Sequence, residues 1–540
     1  MKEIEYNLLD EPWIRVMKPD CSVIEVSLTD ALIHAHEFED LAGEMPTQDI
    51  AVMRLLLAVL QTIFSRTNAD GNPDPVDKDN ALERWGELWN LGKFPNKPVL
   101  DYLNRWHDRF WLFHPERPFY QVPGAEKGSK YSAPKLNGEI SESNNKKRLF
   151  SSRSGFGKDN LDYDEAARWL VNLIAFDDSS VKSNSGTGSG WLGRLGLITA
   201  QGNNLFETLM LNLIFLKNGN KEWKSPLPVW ESENPKTAEK CEIPVPDNLP
   251  ELYTIQSRRI ILQRENDHVS GFYSMGGDYF TEDTGNEQMT LWRVQCNSKG
   301  ERTGISPLKH DFSKQVWRNF SLIASQDHSI QKPGIVLWIN NLIDEEILEE
   351  ERLLRFRFSS IKYDEKGQSI VDYFNDFLSF NINLLSDKGA EWVAIVEKEI
   401  SSLEKIANMI WKLSKNISIA AGNRGSDQAN YDKELFYYQI NDPFRLWLNK
   451  LSADQEDEEI TQLREEWHAF AKSTARKIGQ KIVDDSGPQA FIGRKGTVEK
   501  GKKGKKNAQD NKTQEYLYSA PQAFNVFLNE LNHVYDSKGV

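Results

Sequence analysis

Apolar residues recur at three- and four-residue steps in several separated blocks of this chain. After Pro46-Thr47, the series Ile50, Met53, Leu56, Leu57, Leu60 and Ile63 predicts a long helix with a proline at its start. Ser27 and Thr29 offer caps for a helix through Ala31–Phe38. Further helices are predicted over Ala81–Leu91, Val99–Phe110, Tyr163–Phe176 and Leu205–Leu216. Tyr6–Val16 and Ser22–Val26, separated by Lys18-Pro19-Asp20, read as a hairpin. From Glu222 to Lys309 the apolar runs are short and broken by Pro and Gly, with strands predicted at Leu252–Gln256, Ile260–Gln263 and Leu291–Gln295. Gly334–Asn340 is a mixed segment, and Asp344–Leu353 predicts an acidic helix. In Arg355–Ile361, Phe356 and Phe358 alternate with Arg355 and Arg357, a strand that runs into a hairpin-like tip over Lys362–Ser369. Beyond Leu385 the pattern changes to four long helical blocks, Trp392–Leu413, Lys433–Leu451, Glu458–Arg476 and Gln514–Val534, as an antiparallel bundle requires. The fold class is therefore α+β: a large mixed α/β domain over 1–385, then a C-terminal four-helix bundle over 386–540.

The polar intervals hold the candidate chemistry. Gly186, Gly188, Gly190, Gly193 and Gly196 fall within Ser183–Gly196, between apolar runs that read as helices. So dense a run is either a loop whose bare N–H groups face phosphate or a nucleic-acid groove, or a flexible linker. Gly188–Gly193 also fits G-x-G-x-x-G, so a nucleotide-binding enzyme using residues 188–193 is the alternative; that fingerprint needs a strand before it, and polar residues precede it here. Between Gly124 and Asn160 the chain turns basic, with Lys127, Lys130, Lys135, Lys146, Lys147, Arg148 and Arg153 around Phe150. Basic residues around one aromatic suit phosphate contact with base stacking, and equally a solvated loop. Lys366-Gly367-Gln368-Ser369 is either an ordinary turn or a tip able to enter a groove, where Gln reads base edges. The connection at about 484–511 holds Arg494, Lys495, Lys500, Lys502, Lys503, Lys505 and Lys506 in a Gly/Lys-rich setting, a solvated run or a contact for a nucleic-acid backbone. His114-Pro115-Glu116-Arg117-Pro118-Phe119-Tyr120-Gln121 reads as a rigid turn carrying aromatics into the core rather than a catalytic or metal-binding pair.

Composition narrows these choices. The 540 residues include 16 Trp, which argues against disorder, and carry a net charge of −14, so nucleic acid would be met only through local basic patches or beside a partner. Cys21, Cys241 and Cys296 are isolated; no disulfide framework or thiolate zinc site is indicated, and they are expected as small buried residues. No run of eighteen apolar residues and no N-terminal apolar segment occurs, so a cytoplasmic protein without a membrane partner is expected. No nucleophile–base pair, Walker A lysine or H-E-x-x-H is present, and neither an enzyme, a cofactor, a metal nor a small-molecule substrate is expected.

Several of these stretches together resemble a known family. Tyr6-Asn7-Leu8-Leu9-Asp10-Glu11-Pro12-Trp13-Ile14, His114–Gln121 with Gly124, the glycine stretch with Phe206–Leu216, and the four-helix tail resemble, in order, the CasA-type large subunit of the type I-E CRISPR Cascade. The resemblance implies a large α/β domain unique to the family, a C-terminal four-helix bundle, and a non-catalytic antiviral role. Its partners would be guide RNA, the other Cascade subunits, target double-stranded DNA, and a helicase–nuclease recruited after strand opening. Residues Gly186, Thr187, Gly188, Ser189 and Gly190 would then touch the motif flanking the target, and Lys366, Gly367, Gln368 and Ser369 would form a wedge that splits the first base pairs. Lys146, Lys147, Arg148, Phe150 and Arg153 would lie at the guide handle, and Arg293 stands in for a family lysine that enters the minor groove. Arg494, Lys500, Lys502, Lys503, Lys505 and Lys506 would track the displaced strand. Some relatives carry a cysteine-rich cluster in the middle region; Gly271–Glu287 here has no cysteine, so no metal is expected.

Overall fold

Helix Pro46–Phe64 is apolar on every side because protein surrounds it: seventeen of its nineteen residues are buried. It is long and apolar enough to cross a membrane, yet here it is a core helix, packed against helices Tyr163–Phe176 and Leu249–Tyr253. These relations come from a computed structural model that describes residues 3–139, 153–178, 188–280, 285–325, 327, 329–349, 352–367, 369–423, 426–498 and 514–536. The chain divides into two compact units, Met1–Ser386 and Asp387–Val540.

Among the described residues the first unit has three three-stranded antiparallel sheets, besides two-stranded pairs. The one that matters most for the site has Leu353–Tyr363 in the middle, paired with Leu197–Gln201 on one side and Ile370–Asn381 on the other. Alternation along its central strand puts Phe356 and Phe358 in the core, as period-2 patterning requires. A second sheet centres on His268–Gly276, between Arg258–Glu265 and Ser129–Ser132. The third centres on Ile14–Met17, between Val23–Val26 and Asp40–Leu41.

Several local expectations are corrected by tertiary pairing. The N-terminal hairpin is shorter than its apolar run: Ile14–Met17 pairs with Val23–Val26, but Glu5–Asn7 leaves to pair with Trp111–Phe113. Leu252–Gln256 is not a strand; Asn248 caps a helix over Leu249–Tyr253, its side chain accepting from the Glu251 N–H. The apolar run leaving the glycine stretch is the strand Leu197–Gln201, and the helix after it stops at Leu211. Gly334–Asp344 is the helix, whereas the acidic residues after it turn out of it, with Glu346 at φ +56°. All three cysteines are exposed rather than buried, Cys21 in a turn at φ +63° and the others on short strands at Cys241–Glu242 and Trp292–Cys296.

In the second unit, helices Ala390–Ala421, Asp427–Leu448, Asp457–Asp484 and Ala520–Asn532 form a bundle in which the first packs against each of the other three. The fourth helix is shorter than its periodicity, because Gln514–Tyr518 pairs as a strand with Arg494–Val498. The connection expected to be flexible therefore contributes a short helix, Pro488–Ile492, and one strand of a two-stranded ribbon.

Candidate nucleic-acid interface

Helix Tyr163–Phe176 delivers Asp177 and Asp178 to the start of the glycine stretch, and Gly188–Gly196 forms its exit; together they make a neck. A fully buried arginine, Arg258, holds both sides of it. Its Nε donates to Asp177 Oδ2 at 2.8 Å and its Nη2 to the Gly188 carbonyl at 2.8 Å, with a further short bond to the Asp178 carbonyl. Asp178 is itself paired with buried Lys135 at 2.6 Å. Charge-assisted bonds shielded from water are the strong kind, so the neck is a fixed base.

The glycines of the neck serve packing. The Gly190 N–H donates to the Asp177 carbonyl at 2.8 Å and the Gly193 N–H to the Gly190 carbonyl at 3.0 Å, so neither amide is bare. A Cβ at Gly190 would lie 2.4 Å from the Ala175 carbonyl, at Gly193 2.1 Å from Tyr363 Oη, and at Gly196 2.0 Å from the Leu308 carbonyl. Gly188 alone combines exposure with a left-handed backbone, at φ +68°. Residues 191–194 make one 3-10 turn followed by a strand, whereas the dinucleotide fingerprint requires a helix there; the nucleotide-loop alternative for Gly188–Gly193 is set aside on that geometry. Trp191 anchors the turn to the core: its Nε1 donates to Glu287 Oε2 at 3.1 Å, and Glu287 takes two 2.9 Å bonds from Arg54 of the central helix.

The neck also holds the hairpin tip. Tyr363, the last residue of its strand, lies against Gly193 and donates through Oη to the Phe176 carbonyl at 2.5 Å. Immediately beyond, the Asp364 N–H donates to the Ser369 carbonyl and the Gly367 N–H to the Asp364 carbonyl, both at 2.9 Å, with Gly367 at φ +68° as the tight turn needs. Lys366 is exposed and Ser369 buried, its hydroxyl donating to Asp364 Oδ2. Lys309 and Arg194 are the cations bordering this contact. Lys309 sets its ammonium over the Tyr363 ring at 5.0 Å; lost hydration there, and the Arg194 charge, hold its pKa below the ordinary lysine value. Beside it His310 is buried, bonded to the Leu197 carbonyl at 2.9 Å, and burial pulls its pKa down to about 4, so it is neutral. The hairpin bearing exposed Arg293 is rooted at the same place, since the Leu291 N–H donates to the Gly196 carbonyl at 3.0 Å.

The structure thus brings Gly188, Ser189 and Gly190 to the base of the tip that carries Lys366, Gly367 and Ser369. Gly186, Thr187, Gln368, Lys146, Lys147, Arg148, Phe150, Lys500, Lys502, Lys503, Lys505 and Lys506 lie outside the described residues. Arg153 is not a free cation: it is bonded to Glu165, one contact being 2.8 Å, and lies 3.7 Å from Glu139. Arg494 sits against Gly422, at the C-terminus of helix Ala390–Ala421, where the helix dipole favours a cation. Sequence reasoning missed Arg258, Arg194 and Lys309, whose roles depend on contacts from distant segments. It also missed Phe156, which is 62% exposed and edge-on to His268 at 4.3 Å; an aromatic in a basic, glycine-flanked loop was the available signal. His114 accepts the Glu116 and Arg117 N–H groups at Nδ1, a turn-forming role. Among the described residues no group of three His, Cys, Asp or Glu side chains is placed to hold a metal ion.

Comparison with known proteins agrees with this architecture. The family described as CRISPR-associated protein Cse1 matches residues 7–478. The CRISPR-associated protein CasA/Cse1 of Thermus thermophilus is 28% identical over 442 residues, covering 80% of this chain and 82% of that one. The crystal structure of Thermobifida fusca Cse1 superposes with a TM-score of 0.81 at 26% identity, over 98% of each chain. A chain of a CRISPR RNA-guided surveillance complex shares the fold, with a TM-score of 0.70 at 16% identity over 98% of this chain and 99% of that one.

Proposed function

Because the chain belongs to the CRISPR-associated Cse1 family, we propose that it is the large, non-catalytic subunit of a CRISPR RNA-guided surveillance complex. In this reading it recognises the short motif flanking a target in duplex DNA and starts strand opening. The observation that carries the reading is the contact of Gly193 with Tyr363, which joins the glycine neck to the hairpin tip beside Lys309 and Arg194. A rigid neck lets backbone approach a groove closely, and minor-groove readout is degenerate, so few contacts suffice for a tolerant motif. Gln368, beside the exposed Lys366, then acts as the wedge. Unstacking costs a few kcal/mol per step, and pairing of the opened strand with guide RNA offsets it as the heteroduplex zips. Lys309, Arg194 and Arg293 supply the phosphate contacts that an acidic chain needs locally. Phe156 and the basic residues 146–148 face the guide handle, Lys500–Lys506 follow the displaced strand, and the opened complex recruits a helicase–nuclease.

The test is target-duplex binding by a guide-loaded complex lacking this subunit, with wild type, Gln368→Ala or Lys309→Ala added back. Wild type should restore motif-dependent opening; Gln368→Ala should join the complex but open poorly, and Lys309→Ala should weaken binding and flatten its salt dependence. Normal opening by Gln368→Ala reduces the tip to a turn. Failure of wild type to restore opening overturns the function.

A further inference from the structure

The chain leaving helix Tyr163–Phe176 is a junction. The last carbonyls of a helix have no donor within it, and buried carbonyls need partners. Phe176, Asp177 and Asp178 are all buried, and the donors to their three successive carbonyls come from three distant parts of the chain. Tyr363 Oη donates to the Phe176 carbonyl at 2.5 Å, the Gly190 N–H to the Asp177 carbonyl at 2.8 Å, and Arg258 Nη2 to the Asp178 carbonyl. The hairpin tip, the exit of the glycine stretch and the buried arginine thus meet on three consecutive peptide groups.

The tip depends on such a hold. Strand Leu353–Tyr363 pairs with Leu197–Gln201 as far as Ser359, which lies opposite Leu197. Beyond it, Ser360 to Tyr363 continue with Ile370–Asn381 as strand partner, through a register shift between Lys362 and Tyr363. At about 3.3 Å per residue this ribbon reaches roughly 13 Å past the end of the other ladder, and a two-stranded ribbon by itself is marginally stable. His310 and Phe312 support its root through Phe374, with ring centroids 5.1 and 5.5 Å away. At its far end Tyr363 lies against Gly193 and reaches the Phe176 carbonyl. Burial, with the Asp177 charge nearby, pushes the Tyr363 pKa far above the ordinary tyrosine value, so the hydroxyl keeps its proton and donates. A phenylalanine would supply the same ring packing; the hydroxyl adds the link to the neck.

We propose that Tyr363 is a positioning residue that couples motif recognition at the neck to strand opening by the tip. Its hydroxyl, held on the Phe176 carbonyl, sets where the tip stands relative to Gly188–Gly190. The inference rests on the function proposed above and divides it into two separable properties. Docking on the duplex belongs to the neck and its cations, opening belongs to the tip, and the hydroxyl fixes one to the other. A tip released from the carbonyl samples several positions, so opening slows while docking holds.

The test uses the guide-loaded complex reconstituted with full-length wild type, Tyr363→Phe or Gly193→Ala. The first variant keeps the ring and loses the hydroxyl; the second places a Cβ 2.1 Å from Tyr363 Oη and displaces it from the other side. Both should bind a motif-bearing duplex within about twofold of wild type and open it about tenfold more slowly, near the upper worth of one neutral hydrogen bond. A duplex already unpaired next to the motif should restore both variants to near the wild-type rate, which a general loss of structure would not do. On the isolated chain, hydrogen exchange at the Asp364 and Gly367 amides should be about tenfold faster in Tyr363→Phe, with the thermal midpoint nearly unchanged. Undiminished opening by Tyr363→Phe, equal losses of binding and opening that the pre-opened duplex does not restore, or unchanged exchange at the tip would each overturn the inference while leaving the proposed function in place. Absence of motif-dependent opening with wild type overturns the proposed function and the coupling with it; the exchange result on the isolated chain then still decides whether the hydroxyl holds the tip.

Discussion

The neck and the crevice between His114–Gln121 and Val229–Lys236 both contain arginines, and they treat charge in opposite ways. Around the neck each buried cation meets a carboxylate: Arg258 with Asp177, Lys135 with Asp178, Arg54 with Glu287, and Arg259 with Asp278. In the crevice Arg109 and Arg117 form no ion pair with a carboxylate among the described residues, and Arg117 donates to the Glu233 carbonyl. Closed pairs cannot attract a ligand, but removing one partner strands a buried charge. Cations without a carboxylate partner leave no buried opposite charge stranded when they are removed. At the neck, what faces outward is exposed Gly188, the tip with Lys366, and Lys309.

Breaking a closed pair is the most severe way to test this contrast. Glu287→Ala leaves Arg54 buried without its carboxylate and removes the acceptor of Trp191; chemical denaturation should register a loss of about 3–5 kcal/mol. Next is His310, kept neutral near the tip. Its folded pKa of about 4 lies below the ordinary value of 6.5, so the unfolded chain takes up the proton first. The stability from the neutral imidazole is whole above about pH 6.5 and is lost as pH falls toward 4, by on the order of 3 kcal/mol. Asp49, which burial pushes up to about 6, acts in the opposite sense, so the measurement is the difference between wild type and His310→Gln across that window. The difference should shrink as pH falls. Gly196→Ala places a Cβ 2.0 Å from the Leu308 carbonyl, where backbone must move; a loss of about 1–3 kcal/mol is expected. The smallest effect belongs to the crevice: Arg109→Ala/Arg117→Ala should change stability by no more than about 0.5 kcal/mol. A loss comparable to that of Glu287→Ala would erase the distinction between closed and open cations.

Elements with strong periodicity were legible in the sequence. The core helix after Pro46, the helix over Tyr163–Phe176, the strand around Phe356 and Phe358 with its tip, and the change to long helices after Leu385 all follow from spacing of apolar residues. Short apolar runs were not: Leu252–Gln256 has branched and aromatic residues in strand-like order, but an Asn cap and a proline in the first turn start a helix that takes in Leu252 and Tyr253 and ends there. The departure of Glu5–Asn7 to Trp111–Phe113 joins segments about a hundred residues apart, which no local window contains.

For the candidate interface, the sequence alone determined which residue types were available: glycines dense enough for close backbone approach, a Lys-Gly-Gln turn, and basic clusters on an acidic chain. Tertiary structure decided what each was used for. Gly190, Gly193 and Gly196 are needed because Ala175, Tyr363 and Leu308 arrive against them, and Arg153 is neutralised because Glu165 and Glu139 reach it. Arg258 becomes a clamp, and Arg109 and Arg117 remain open, through the presence or absence of a carboxylate brought from elsewhere in the chain. A side chain's charge and size are local properties, whereas its hydration and its partners are set by whichever distant segments fold against it.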